Sequence, residues 1–250
     1  MRILVVGAGA LGGYFGGRLK EAGRDVTFLV RPRRAEQLAR TGLIVRSPKG
    51  DIAIAAPPTV LAENLHAPFD LILLSCKAYD LQGAMDSFAP AVGADTAILP
   101  LLNGMKHMDL LAARFGAGAV LGGQCIISAT LNGEGRVLHL NDMHFLSFGE
   151  QNGSKSPRVT AIAAKNGFKP GETAVKRSIG MLTAAGSPIA ASMLRDIERG
   201  APIEADHIIG DLSARGGGRS GDYPLLQIAY AHLRTYEARR QREQAAAPAR

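Results

Sequence analysis

The segment Gly7-Ala8-Gly9-Ala10-Leu11-Gly12 constrains this chain more than any other, because it follows directly on the apolar run Ile3-Leu-Val-Val6. Glycines at this spacing carry little information alone. Set between a buried strand and the start of a helix, they form the fingerprint of a dinucleotide-binding crossover. Gly7 permits the tight turn, Gly9 lets the backbone approach a pyrophosphate, and Gly12 lets the helix lie close to the strand. The helix N-terminus then turns free N–H groups and a positive dipole end toward the anion. A strand-to-helix turn that binds nothing can carry the same glycines, so the rest of the chain has to support the reading.

It does so by alternation. Short apolar runs at Asp25–Val30, Phe69–Ser75 and Thr96–Leu102 read as strands, and Leu11–Ala22, Arg33–Arg40, Leu81–Pro90 and Met108–Phe115 read as the helices between them. Strands alternating with helices imply a parallel sheet, and runs without polar alternation imply that both its faces are covered. A small hairpin is expected over Leu43–Arg46 and Asp51–Ala55, and a short strand over Ala119–Gly122. An antiparallel pair, Cys125–Leu131 with Arg136–Phe148, is expected to extend the sheet edge. The turn-rich run Gln151–Pro157 reads as a linker. Beyond it, helices are expected over Val159–Ala164, Glu172–Ala185, Pro188–Glu198, Ile203–Ala214 and Pro224–Gln244, with a frayed tail over Ala245–Arg250. The fold class is therefore α/β, with a dinucleotide-binding domain over 1–150 and a smaller all-helical domain over 158–250.

Composition narrows the function classes. Of 250 residues, 46% are hydrophobic and 20% charged, which excludes a disordered or fibrous chain. Two cysteines, Cys76 and Cys125, exclude a disulfide scaffold and are not at metal-ligand spacing. No apolar stretch approaches the ~20 residues of a membrane span, and no leader peptide is visible, so a cytoplasmic location is expected. The net charge is +7, with 29 basic residues of which 21 are arginine, a side chain suited to phosphate and carboxylate. The basic residues are scattered without interleaved aromatics, which argues against nucleic acid as a partner.

Arginine also bears on the choice of dinucleotide. Where the second strand ends, an NAD-binding chain usually carries an acidic residue for the ribose 2′-hydroxyl. Here the strand runs into Arg31-Pro-Arg33-Arg34. Three guanidiniums and no carboxylate favour the 2′-phosphate of NADP(H), with Arg31 the leading candidate. The loops Ser75-Cys-Lys77-Ala-Tyr-Asp80 and Leu102-Asn103-Gly-Met105 follow strands, so both should border the ligand, Lys77 near a ribose and Asn103 near the nicotinamide.

With these loops in view, the chain resembles the ketopantoate reductase family. The resemblance is carried by Arg2–Gly12, Lys77-Ala-Tyr, Asn103-Gly-Met, and Ser192-Met-Leu-Arg-Asp-Ile197 running into Pro202-Ile-Glu204-Ala-Asp206. It implies a Rossmann N-domain and a helical C-domain, with NADPH-dependent reduction of the 2-keto acid ketopantoate to pantoate in the cleft between. By position, Gly7 to Gly12, Lys77 and Asn103 would hold the cofactor, with Ser128 and Ala129 near it. Ser192 would bind substrate beside the backbone of Ile189–Ala191. Glu204 would face the nicotinamide ribose and the reacting carbonyl, making Glu204 and Asn103 the catalytic candidates.

The chain departs from the family after Phe148-Gly-Glu150, where helices of the C-domain are missing. The family's general-acid lysine and its substrate-binding asparagines have no counterpart, and Lys155, Lys165, Lys169 and Lys176 lack the right context. An uncovered helical domain exposes apolar faces, so a second copy of the chain is an expected partner. Three readings follow: a ketopantoate reductase, a reductase of another 2-keto acid, or an NADP(H)-binding relative without turnover.

Overall fold

The computed structural model describes residues 1–154, 156–165, 192–216 and 224–246. The strands are β1 (Arg2–Val6), β2 (Asp25–Leu29), β3 (Leu43–Arg46), β4 (Ile52–Ile54), β5 (Thr59–Val60), β6 (Leu71–Leu74), β7 (Ala97–Pro100), β8 (Gly122–Leu131) and β9 (Val137–Gly149). The helices are α1 (Ala10–Glu21), α2 (Pro32–Thr41), α3 (Leu81–Phe88), α4 (Lys106–Phe115), α5 (Pro157–Lys165), α6 (Ser192–Glu198), α7 (Asp211–Arg215, continuing a π-helical turn over Asp206–Gly210) and α8 (Pro224–Ala246). The helix expected over Glu172–Ala185, the Ile189–Ala191 backbone, and Lys155, Lys169 and Lys176 lie outside the described residues, as does the Lys165 side chain.

The apolar runs form a parallel sheet in the order β5-β2-β1-β6-β7. Successive side chains of a strand point to opposite faces, so each run feeds two cores. Ile3, Val5, Leu71, Leu73 and Leu99 enter one core. Leu4, Val6, Ile72, Leu74 and Ile98 enter the other, against Leu81, Met85 and Phe88 of α3 and Met108 and Leu111 of α4.

The first core has a second wall. β3, β4, β8 and β9 form a separate sheet in the order β4-β3-β9-β8. The antiparallel β8–β9 pair therefore does not extend the parallel sheet, as the sequence had suggested; its partner is β3, through Val45 opposite Val137. Helix α1 lies between the two sheets, and this explains its glycines. A Cβ on Gly16 would meet the Phe28 ring at 2.5 Å on one side, and one on Gly13 would meet Val137 at 2.7 Å on the other. Glycine inside a helix costs about 1 kcal/mol relative to alanine, and here it lets one helix serve two sheets. The strand expected over Ala119–Gly122 reduces to a single bridge between Val120 and Ile98. The helix expected to end near Gln244 runs on through Ala246.

Glu150 joins the sheets to the helical half. Its carboxylate accepts hydrogen bonds from Arg158 Nε at 2.6 Å and Ser156 Oγ at 2.5 Å, and Arg158 also donates to the Gly118 carbonyl. The hydrogen bond from Arg158 is the main cause that holds the Glu150 pKa down at about 2. A depressed acid stabilises the fold above its unfolded pKa, near 4.5, and the contribution is lost as pH falls toward 2. Urea midpoints measured from pH 7 to 2 will fall less steeply below pH 4.5 in Glu150→Gln than in the parent, and the variant will be the less stable of the two at pH 7.

Gly12 is held most tightly. A Cβ there would lie 2.0 Å from the Gly7 carbonyl oxygen and 2.3 Å from Ser75 Oγ. Backbone cannot yield like a flexible side chain, so Gly12→Ala is expected to cost about 2 kcal/mol or more. For a chain of this size that is a fall in Tm of roughly 4–8 °C by calorimetry.

Candidate active site

Ligands of open parallel sheets settle outside the carboxyl ends of the strands, where the strand order reverses. In this sheet the reversal falls at β1, between β2 and β6. The chain leaves β1 through Gly7 at φ +92°, a conformation L side chains rarely adopt, and its N–H donates to Leu29 O at 2.9 Å. Ser75, at the end of β6, secures the turn by donating Oγ–H to Val6 O at 2.8 Å. These contacts aim the first turn of α1 into a cleft of about 1460 Å³. That exceeds the ~300–1,000 Å³ of a pocket for one drug-sized molecule.

The cleft tests the proposed duties of the glycines. Gly7 and Gly12 are fixed by conformation and close contact, whereas a Cβ on Gly9 would meet nothing within 4 Å. Packing among the described residues therefore does not explain Gly9, which leaves open space on the cleft side of the turn. Two buried polar atoms of cleft-lining residues, Ser128 Oγ and Arg34 Nη2, have no hydrogen-bond partner among the described residues. An amide-lined turn with cationic and hydroxyl donors beside it suits a phosphorylated dinucleotide. Among the described residues no group of His, Cys, Asp or Glu is placed to hold a metal ion.

Most of the residues singled out from the sequence meet here. Gly7 to Leu11, Arg31, Lys77, Asn103, Ser128, Ala129, Ser192 and Glu204 all line the cleft. Gly12 stands behind it, against Gly7. Of the three arginines after β2, Arg31 and Arg34 line the cleft and Arg33 does not. Arg34 is drawn inward, donating Nε–H to Ala8 O at 3.0 Å and Nη1–H to Gly135 O at 3.0 Å, and burial lowers its pKa.

The structure also adds a carboxylate that the strand end lacks. Asp80, from the loop after β6, accepts from Arg31 Nη2 at 2.8 Å, and this hydrogen bond is the main cause raising the Arg31 pKa. The two are 49 positions apart, so no local pattern could have paired them.

The helical half contributes an acid pair. Lys77 Nζ donates to Asp196 Oδ2 at 2.8 Å and lies 3.7 Å from Glu204 Oε2. Glu204 is held by the Ala78 N–H at 2.9 Å, and its side chain is only 4% exposed. Burial pulls the Lys77 pKa down, but Asp196 and Glu204 outweigh it and leave the pKa above the usual lysine value. Lys77 therefore stays an ammonium. Glu204 owes its place to the rest of its motif. Asp206 accepts from Tyr230 Oη at 2.6 Å and from Arg234, and Ile203 N–H donates to Glu237 at 2.6 Å, so α8 braces the segment. Asn103 Nδ2 lies 3.4 Å from Ser192 Oγ, which closes the cleft from the other side.

Both cysteines line the cleft as well. Burial pushes the Cys76 thiol up to about 12 and the Cys125 thiol up to about 11. Burial therefore favours the thiol over the thiolate at both positions.

Comparison with known proteins agrees with this geometry. A family model for ketopantoate reductase PanE/ApbA matches residues 3–153, and the model for the C-terminal part of the same family matches residues 159–237. Uncharacterized oxidoreductase YkpB of Bacillus subtilis (strain 168) is 32% identical over 303 aligned positions, covering 95% of this chain and 99% of the relative. That alignment is longer than the 250 residues here, so the relative holds segments that this chain lacks. The 2-dehydropantoate 2-reductase of Mesorhizobium japonicum is 29% identical over 184 residues, covering 65% of this chain but only 56% of the relative. Among solved structures, 2-dehydropantoate 2-reductase from Geobacter metallireducens GS-15 has the same fold, with a TM-score of 0.81 at 24% identity, covering 94% of this chain and 99% of that one. A D-mandelate dehydrogenase solved with NADH and anilino(oxo)acetate also has it, with a TM-score of 0.80 at 19% identity, covering 96% of this chain and 100% of that one. Both halves are matched in family order and the identity to one relative runs almost end to end, so the chain belongs to the ketopantoate reductase family of oxidoreductases and carries the family's C-terminal domain in shortened form.

Proposed function

We propose that this protein binds NADP(H) in the cleft and reduces the carbonyl of a small 2-keto acid, with ketopantoate the first substrate to test. In this reading it works in the cytoplasm, on the route to coenzyme A. The observation that carries the reading is that one cleft joins the amide-lined turn at Gly7–Leu11 to Lys77, Asn103, Ser192 and Glu204. When bound, the nicotinamide supplies the hydride.

The chain's own residues supply the rest. The first turn of α1 receives the pyrophosphate, while Arg31 and Arg34 stand where a 2′-phosphate would be recognised. Asn103 offers an amide donor and acceptor beside Ser192, and Ser192 offers a hydroxyl to the substrate. Lys77 is the one lysine among the described cleft-lining residues, and it keeps its proton at Nζ. It is the group to meet the negative charge that develops on the substrate oxygen. Glu204 and Asp196 hold that ammonium in place.

A second reading, cofactor binding without turnover, is favoured by a specific observation. The family's general-acid lysine has no counterpart here, and Lys77 is already held by two carboxylates. Mixing NADPH with ketopantoate and following nicotinamide absorbance separates the two. Turnover that falls about 100-fold or more in Lys77→Gln supports the first, and tight NADPH binding with no oxidation supports the second. Pairing of two copies through α8, where Leu225 and Ile228 stand exposed, is part of either reading and is measured by light scattering.

The cofactor assignment has its own test. In a fluorescence titration, Gly9→Ala is expected to bind NADPH at least about tenfold more weakly with an unchanged Tm, since a methyl there fills ligand space and touches no protein. Arg31→Gln should weaken NADPH by roughly tenfold and NADH little. An equal loss for both nucleotides would remove the 2′-phosphate role.

A further inference from the structure

The cations of the cleft are nearly all engaged. Arg31 is paired with Asp80, and Arg34 holds the Ala8 and Gly135 carbonyls. Lys77 is paired with Asp196 and Glu204, and Arg199 donates to Thr130 Oγ1 at 3.0 Å. Arg195 differs. It lines the same cleft and is half-buried, yet its guanidinium has no hydrogen bond, ion pair or ring contact among the described residues. A charged group turned into a half-enclosed cleft without a partner is set up for a ligand of opposite charge.

Its place on the helix says which end of the ligand it meets. Ser192, Arg195, Asp196 and Arg199 follow at spacings of three, four and seven, so they share one face of α6 and its last turn. All of them line the cleft. Asp196 is spent on Lys77. Arg195 therefore stands one helical turn from Ser192, which itself lies 3.4 Å from Asn103. That is the end of the cleft assigned to the substrate, across from the glycine turn that receives the pyrophosphate.

Resting on the reductase reading above, we propose that Arg195 binds the carboxylate of the 2-keto acid and so selects 2-oxo carboxylates over neutral carbonyl compounds. A carboxylate presents two oxygens in a plane, and a guanidinium fork matches them with two parallel N–H donors. The charge of the pair is best formed in a cleft already partly shielded from water. Ser192, Asn103 and Lys77 line the same cleft and are the polar groups available to the neighbouring 2-oxo carbonyl. The selected class is defined by the anion beside the carbonyl.

The test uses the full-length chain and binding as its readout, so it does not depend on turnover. NADPH affinity is measured first by fluorescence for the parent, Arg195→Gln and Arg195→Lys, and is expected to agree within about twofold across all three. Calorimetric titrations into NADP⁺-saturated protein then use ketopantoate, 2-oxo-3-methylbutanoate and the uncharged ketopantolactone. Arg195→Gln should weaken both oxo acids by roughly 10- to 100-fold, the range of a hydrogen bond to a charged group, and leave the lactone unchanged. Arg195→Lys, which keeps the charge but loses the fork, should fall between. Equal loss for acids and lactone, no loss for the acids, or a loss in NADPH affinity overturns the assignment. A parent protein that binds the nucleotide but neither oxo acid overturns it also and leaves the cofactor reading standing. A parent that binds no nucleotide overturns the reductase reading itself.

Discussion

The structure turns on a contact between two pieces of main chain. Helix α1 approaches the Gly7 carbonyl so closely at Gly12 that no side chain fits between them. This approach sets the axis of α1 and directs its open first turn at the cleft. It also brings Ser75 to the same point, where its hydroxyl hydrogen bonds the Val6 carbonyl. The loop after β6 is thereby tied to the loop after β1, and Lys77, two residues further on, takes its position from that tie. Asn103, Ser192 and Glu204 then assemble around a rim that is already set.

Much of this was legible in the sequence, for reasons that differ between its parts. The parallel sheet was legible because strands covered on both faces need continuous apolar runs, and Leu71-Ile-Leu-Leu74 has no other economical use. The glycine turn was legible because Gly7 and Gly12 each meet a separate backbone demand, one a positive φ and the other a close approach. The second sheet was not. β8 and β9 show a hairpin pattern whether they border the parallel sheet or leave it, and only the pairing of Val45 with Val137 across the chain decides. Helix α1 shows the same limit. Gly13 and Gly17 look like weak helix positions until a second sheet is seen pressing on them, while Gly16 faces Phe28 and Val5 of the parallel sheet.

The candidate site divides along the same line. Residues in local motifs, such as Lys77, Asn103, Ser192 and Glu204, could be named from spacing and family resemblance. Their partners could not, because they come from elsewhere in the chain: Asp80 for Arg31, Asp196 for Lys77, the Ala78 amide for Glu204. Charge compensation in the cleft is a long-range property. It leaves Arg195 unpaired among the described residues, and the distinction between Arg195 and its engaged neighbours exists only in three dimensions.

Behind the cleft, Gly104 rests against the π-helical turn, where a Cβ would lie 2.9 Å from the His207 carbonyl, and the His107 and His207 rings stack with centroids 5.6 Å apart. Burial, aided by His207, pushes the His107 pKa down to about 4, and burial lowers that of His207. Both imidazoles are therefore neutral at neutral pH, and an opened chain takes up protons that this stack refuses. Acidification from about pH 6.5 toward 4 loosens the seam between the Asn103 loop and the Glu204 segment. The two walls of the cleft are thus fastened by an acid-labile clasp, one that weakens over a higher pH range than the Glu150–Arg158 link.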